Sequence, residues 1–218
     1  VFEEDEHIRA RVDYCLAQFP GPQPPADAPD RDEPAVVLMH QAVERLADLA
    51  ASYMVGGFVH GVLNSDNMNI TGESFDYGPY RFLPRNDPMF TAAYFDQTGL
   101  YAFGRQPEAG FWNLQQLAGC LTLVADQAPL VEVLNTFGET YRLALIAAML
   151  RRLGVASRGV DDDAQLVAAA FAAVAEGGER MRWEPFFFDW FCGDAGRARS
   201  GPRAAIYAET ASAGGEAP

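Results

Sequence analysis

Gly57-Phe58-Val59-His60-Gly61-Val62-Leu63-Asn64-Ser65-Asp66-Asn67-Met68 is followed, after a short interval, by Phe75-Asp76-Tyr77-Gly78. An apolar approach leads into a His-Gly turn, then an adjacent Asp-Asn pair, then an Asp-aromatic-Gly. The amide oxygen of Asn67 and the carboxylate of Asp76 are hard donors of the kind that magnesium or manganese accepts. Gly78 lets the chain turn sharply past Asp76. An Asp-x-Gly alone carries little weight, since both residues abound in turns. The Asp-Asn pair, the preceding His-Gly and the spacing to Asp76 carry it together.

Upstream, Met39, Val43, Leu46, Ala50, Tyr53 and Met54 recur at helical steps, with Glu44, Arg45 and Asp48 on the opposite face. A long helix over residues 34–55 therefore feeds the loop and stops at Gly56-Gly57. Further back, Ile8, Val12, Cys15, Leu16 and Phe19 mark an amphipathic helix over residues 7–19, ended by Pro20. Residues 20–34, proline-rich and acidic, read as an exposed loop. Inside the central stretch, Phe58 and Val59 form a brief extended segment. Residues 68–71 and 74–75 are expected to be two short strands around Gly72.

Downstream, residues 79–107 are rich in proline, aromatic residues and glycine and lack periodicity, which in a segment of this length points to function or mobility rather than scaffold. Pro107 then opens a helix carrying Phe111, Trp112, Leu114, Leu117, Ala118 and Leu121. Another helix over residues 137–153 closes on Arg151, Arg152 and Gly154. Asp161-Asp162-Asp163 is read as a helix N-terminus rather than a metal cluster, because the pattern Leu166, Val167, Ala170, Phe171, Val174 follows it directly. The run Phe186-Phe187-Phe188-Asp189-Trp190-Phe191 is expected to pack into the core.

At 218 residues with 49% hydrophobic side chains, the chain has ample material for a core. A net charge of -14 opposes attraction to nucleic acid or anionic membrane, where neutralisation of phosphate dominates. No apolar run approaches the ~20 residues that span a bilayer, and the acidic start is unlike a secretory leader. Cys15, Cys120 and Cys192 are too scattered for a disulfide framework and are expected to be reduced, buried thiols of a cytoplasmic protein. The chain starts without methionine and ends in residues 211–218, expected to be a disordered tail. It is accordingly read as a fragment.

A long helix, a polar loop, a small hairpin and an Asp-x-Gly together resemble the centre of a kinase C-lobe. The resemblance implies that Asn67 and Asp76 hold divalent metal beneath the phosphates of ATP, that Tyr77 packs inward, and that residues 79–107 form an activation or docking segment. It also exposes a departure. The position two residues after the histidine, where kinases of this kind carry the base, is Val62, which does no acid-base work. Either the chain is a dead kinase or Asp66 has taken over the role. His60 is read as a structural brace of the loop, Asn64 as a contact to the loop in preference to the nucleotide, and Arg81, Arg85 and Arg105 as phosphate contacts or braces of the segment.

Residues 60–68 and then Asp76-Tyr77-Gly78-Pro79-Tyr80 closely resemble the signature of the selenoprotein O (YdiU) family, with Ser65 where threonine is usual. Arg81-Phe82-Leu83, Asp87-Pro88, Gly99-Leu100-Tyr101-Ala102-Phe103, Gln106-Pro107 and Trp112-Asn113-Leu114 continue the likeness. It implies a protein-kinase-like fold that binds ATP in a flipped orientation and moves AMP onto Ser, Thr or Tyr hydroxyls of proteins, with redox proteins the expected targets. Carried over by residue, it makes Asp66 the catalytic base, and Asn67 and Asp76 the nucleotide and metal ligands, for Mg2+ or Mn2+. The family's N-lobe would lie before Val1 and its redox-active C-terminus after Pro218.

The expectation is a mainly α (α+β) chain: a kinase-like C-lobe over residues 1–210, acting in the complete protein as a protein adenylyltransferase. Alone, it is expected to bind Mg-ATP weakly and transfer nothing measurable. The alternatives are a noncatalytic nucleotide-binding scaffold, or an ordinary kinase, which Val62 disfavours.

Overall fold

A computed structural model describes residues 5–213. They are mainly α, with a single antiparallel pair of two-residue strands. The chain opens with α1 (Asp5–Gln18), crosses an irregular and mostly exposed stretch, and enters α2 (Pro34–Gly56). Proline in the first turn of α2 sets its entry, and Gly57 ends it in a left-handed conformation (φ +63°) with its N–H on the Tyr53 carbonyl.

α2 is the hub of the molecule. It packs against α1, α3 (Gln106–Leu121), α4 (Gln127–Asn135) and α5 (Phe137–Leu153). Ala35, Val36, Val37, Leu38 and Met39 are consecutively buried, so the first turns of α2 are walled in on all sides. Further along, the expected outward side bearing Glu44, Arg45 and Asp48 is only partly solvent-facing. Only Asp48 of the three is exposed. Arg45 donates to the carbonyls of Phe19 (2.7 Å), Pro20 (3.1 Å) and Ile70 (3.0 Å), tying α1 and the central turn to α2.

The hairpin expected around Gly72 reduces to one bridge, Met68 opposite Ser74, inside a tight turn closed by Asn69 N–H to Glu73 O at 2.7 Å. Gly72 turns at φ +81° with Arg45 close against it, leaving no length for strands. The sheet lies elsewhere. β1 (Phe58–Val59), the expected extended segment, pairs with β2 (Arg81–Phe82), placing Phe58 opposite Phe82.

α6 (Val160–Glu176) begins at the aspartate triplet, as expected. Asp163 accepts from Ser157 Oγ (2.5 Å) and Arg158 N–H (3.0 Å), and those hydrogen bonds hold its carboxyl below the usual range. The chain closes with α7 (Trp183–Trp190), α8 (Ala195–Ser200) and α9 (Ala204–Ala213). The tail expected over residues 211–218 thus starts inside α9, and residues 214–218 lie outside the described residues. The aromatic run is split. Phe186 and Phe187 are core, whereas Phe188 falls on the outer face of the helix and Phe191, just past its end, is also exposed.

Buried Trp183 and partly buried Arg152 set the position of the loop. Trp183, fully buried, donates its indole N–H to Val55 O (3.0 Å) and its backbone N–H to Pro84 O (2.9 Å), so the end of α2 and the chain after β2 share one anchor. Arg152 lies over the Phe187 ring at 3.8 Å and also reaches Val55 O and Glu184. The cysteines are all free, but Cys120 and Cys192 are exposed rather than buried. Among the described residues no helix is long and apolar enough to cross a membrane.

Candidate active site

β1 delivers the chain to His60, which is 0% exposed. Val62 N–H points at His60 Nδ1 (3.4 Å), so the ring proton sits on Nε2, which donates to Phe75 O at 2.9 Å. Burial lowers the pKa of His60 and keeps the ring neutral, outweighing the opposing pull of the Phe75 carbonyl and the Asp76 charge. The bracing role read from the sequence is therefore borne out. His60 ties the loop to the residue immediately before Asp76.

Gly61 turns at φ +89°, and a Cβ there would lie 2.9 Å from Pro79 Cγ and 3.0 Å from Ala92 Cβ. The loop thus lies flat against residues 79–93. Asn64 accepts from the Tyr101 hydroxyl, so its side chain ties the loop to residues 79–107 rather than bonding within the loop. Residues Ser65–Asn67 form a 3-10 turn closed by Asn67 N–H to Asn64 O at 3.0 Å. Its apex is Asp66, exposed to solvent.

Asn67 is only 5% exposed, and its backbone carbonyl accepts from Phe75 N–H at 3.1 Å. That bond closes the turn between Asn67 and Phe75, bringing the Asp66-Asn67 pair beside Asp76. Asp76 is exposed and sits at φ +61°, one of the few non-glycine residues with a left-handed backbone among the described residues. Such a conformation persists where surroundings over-determine it, and it concentrates at functional sites. Gly78 N–H bonds Asp76 O at 2.8 Å.

Tyr77 packs its ring on His60 (5.3 Å) and Phe58 (5.8 Å), and its hydroxyl reaches Ser74, which also meets Tyr53. Its ring is nonetheless half-exposed, so the inward packing expected of it is partial. The arginines all have protein partners. Arg81 donates to Pro79 O and Tyr80 O, Arg85 faces Glu179 at 3.5 Å, and Arg105 forks onto Glu108 while reaching Gly99 O.

Two amides of α3 escaped the sequence reading. Gln106, fully buried, accepts from His60 N–H (2.9 Å) and donates to Phe58 O (2.9 Å). Asn113 donates to Leu63 O (2.9 Å) and Ala109 O (2.8 Å). Both stand within family-like motifs, yet nothing in their spacing announced a partner some fifty residues away.

The side chains of Asp66, Asn67 and Asp76 make no hydrogen bond or ion pair among the described residues. An amide oxygen and a carboxylate are donor types that a hard divalent cation takes; no group of three or more His, Cys, Asp or Glu side chains that could hold a metal ion occurs among the described residues.

The three oxygen donors thus lie along one turn of a mainly α chain, Asn67 buried and Asp66 and Asp76 exposed. Comparison with known proteins says to which family such a chain belongs. The family model described as protein adenylyltransferase SelO matches residues 1–197, and the chain belongs to this family. A protein nucleotidyltransferase YdiU of Synechocystis is 41% identical over 155 residues, covering 71% of this chain and 32% of the relative. One from Rhodopseudomonas palustris is 38% identical over 179 residues, 79% of this chain and 35% of the relative. One from Trichodesmium erythraeum is 50% identical over 114 residues, 52% of this chain and 24% of the relative. The chain spans about a third or less of the length of these relatives.

Proposed function

We propose that the chain is the kinase-like, metal-binding lobe of a protein adenylyltransferase that moves AMP from ATP to Ser, Thr or Tyr hydroxyls of other proteins. The single observation that carries this is the Phe75 N–H to Asn67 O bond, which brings Asp66, Asn67 and Asp76 to one turn with their side chains unpartnered. The family membership supports ATP as the nucleotide, and the unpartnered side chains of the turn support the roles.

Asn67 and Asp76 would hold Mg2+ or Mn2+, which when bound would neutralise charge on the phosphate groups. Asp66, at the exposed apex of the 3-10 turn, takes the proton of the acceptor hydroxyl. The hydroxyl oxygen bonds to the α-phosphorus, the bond from that phosphorus to the bridging oxygen breaks, and pyrophosphate leaves. Val62 offers no carboxylate for phosphotransfer, and its N–H is spent on His60.

The test uses full-length protein and ATP labelled in turn at the α- and γ-phosphate. Incorporation of the α label, abolished by Asp76→Ala and lowered at least about 100-fold by Asp66→Ala, is expected. Incorporation of the γ label alone would overturn the reading in favour of a kinase. Binding of ATP without incorporation of either label would make the protein a scaffold.

A further inference from the structure

We infer that Gln106 and Asn113 are positioning residues for the reaction, holding both ends of the loop that presents Asp66 and Asn67. This rests on the reading of those two residues as site groups.

β1 is two residues long. Its one edge is used by β2, with Leu83 N–H on Gly57 O at 2.7 Å. The other edge, Phe58 O and His60 N–H, would be buried without partners. Gln106 stands there as a one-residue substitute strand, accepting from one group and donating to the other. Two turns further along α3, Asn113 holds Leu63 O. The stretch from Phe58 to Leu63 is therefore fastened at both ends to one 16-residue helix.

The apex follows directly. Asn67 N–H closes onto Asn64 O, so where Leu63 and Asn64 are held decides where Asp66 points. Asn113 serves the loop at a cost to the fold. With both its donors spent on carbonyls, its Oδ1 is buried without a partner among the described residues. An unpaired buried acceptor lowers stability. A residue selected for packing alone has no reason to retain it, whereas one that aims a loop does.

Gln106→Glu and Asn113→Asp keep shape and remove a donor. In full-length protein, hydrogen exchange of residues 57–68 is expected to speed up about tenfold or more in either variant, while α2 and α5 keep their protection. AMP transfer is expected to fall about 10- to 100-fold in kcat, with the KM for ATP changed by less than about threefold. The carboxyl introduced by Gln106→Glu regains a donor when protonated, and burial raises its pKa. The rate of that variant relative to the parent is therefore expected to climb as the pH is lowered from about 8.5 to 6. Of the groups beside position 106, the parent's His60 is held neutral by burial.

Parental rates and parental exchange in both variants would overturn the inference. So would a pH-independent loss with exchange rising evenly through α2, α3 and α5, since that is general destabilisation. If the parent transfers no AMP, the proposed function fails, and the exchange of residues 57–68 still decides the clamp. Gln116→Glu, on the exposed side of α3, is the control.

Discussion

His60 Nε2 lies 2.9 Å from the carbonyl oxygen of Phe75, so one buried imidazole joins the loop bearing Asp66 and Asn67 to the residue preceding Asp76. Burial depresses the histidine's pKa below the value of 6.5 that it has when unfolded, so the unfolded chain binds more protons near that pH. The stabilising contribution of the neutral ring is complete above about pH 6.5 and is lost as the pH falls through that range. Urea midpoints taken between about pH 5 and 8 are expected to decline on the acid side. His60→Gln, which keeps a donor for Phe75 O, should lower stability at neutral pH and flatten this decline. A parental slope in the variant would show that another group titrates.

Asp76 stands at φ +61°, where a Cβ is strained and glycine is not. Function and stability therefore pull apart at this position. Asp76→Gly is expected to be at least as stable as the parent, and Asp76→Ala about 1 kcal/mol less stable than Asp76→Gly. Both are expected to lose binding of Mn2+, read by the relaxation of water protons. Equal midpoints for the two variants would remove the strain argument.

Gly61 is needed for a different reason, close approach together with its φ of +89°. Pro79 Cγ and Ala92 Cβ already occupy the space a side chain would take. Gly61→Ala is expected to cost about 2 kcal/mol or more, the sum of backbone strain and overpacking. Because the clash lies between the loop and residues 79–93, exchange of both segments is expected to rise together. A rise in the loop alone would place the strain elsewhere.

What the sequence revealed and what it hid divide by range. The His-Gly turn, the Asp-Asn pair, the stop at Gly57 and the helix start at Asp161 are local chemistry, and each was legible. β2 was not, because two residues have no period, and its partner Phe58 lies far back in the chain. α4 is marked only by Pro129 in its first turn and by Leu130, Val133 and Leu134 at helical spacing, a signal as short as the helix itself. The roles of Gln106 and Asn113 depend on backbone groups 46 and 50 residues away, a relation no pattern records. Arg45 misled for the same reason. Its charge suggested solvent, while three carbonyls waited for it inside the fold.

Asp189, 2% exposed, is met by Arg203 through two hydrogen bonds (2.5 and 2.6 Å) and by the Tyr207 hydroxyl (2.6 Å). Arg203 and Tyr207 fall beyond residues 1–197, the span that the family matches, so this tie fastens α9 to the family fold from outside it. The Arg203 hydrogen bonds hold the carboxyl of Asp189 below its usual range. Its stabilising contribution is therefore present above the unfolded value of about 3.9 and is lost as the pH falls toward the folded value. Arg203→Met would leave a buried carboxylate without its cation and is expected to cost about 3 kcal/mol at neutral pH. Unpaired, Asp189 would have a raised pKa, so the deficit is expected to shrink as the pH is lowered from about 7 to 4. Adding Asp189→Asn to Arg203→Met is expected to recover part of the loss, because the charge left behind is removed with its partner. Urea midpoints for the two single variants and the double variant measure this coupling, and strict additivity would show that α9 is held by packing alone.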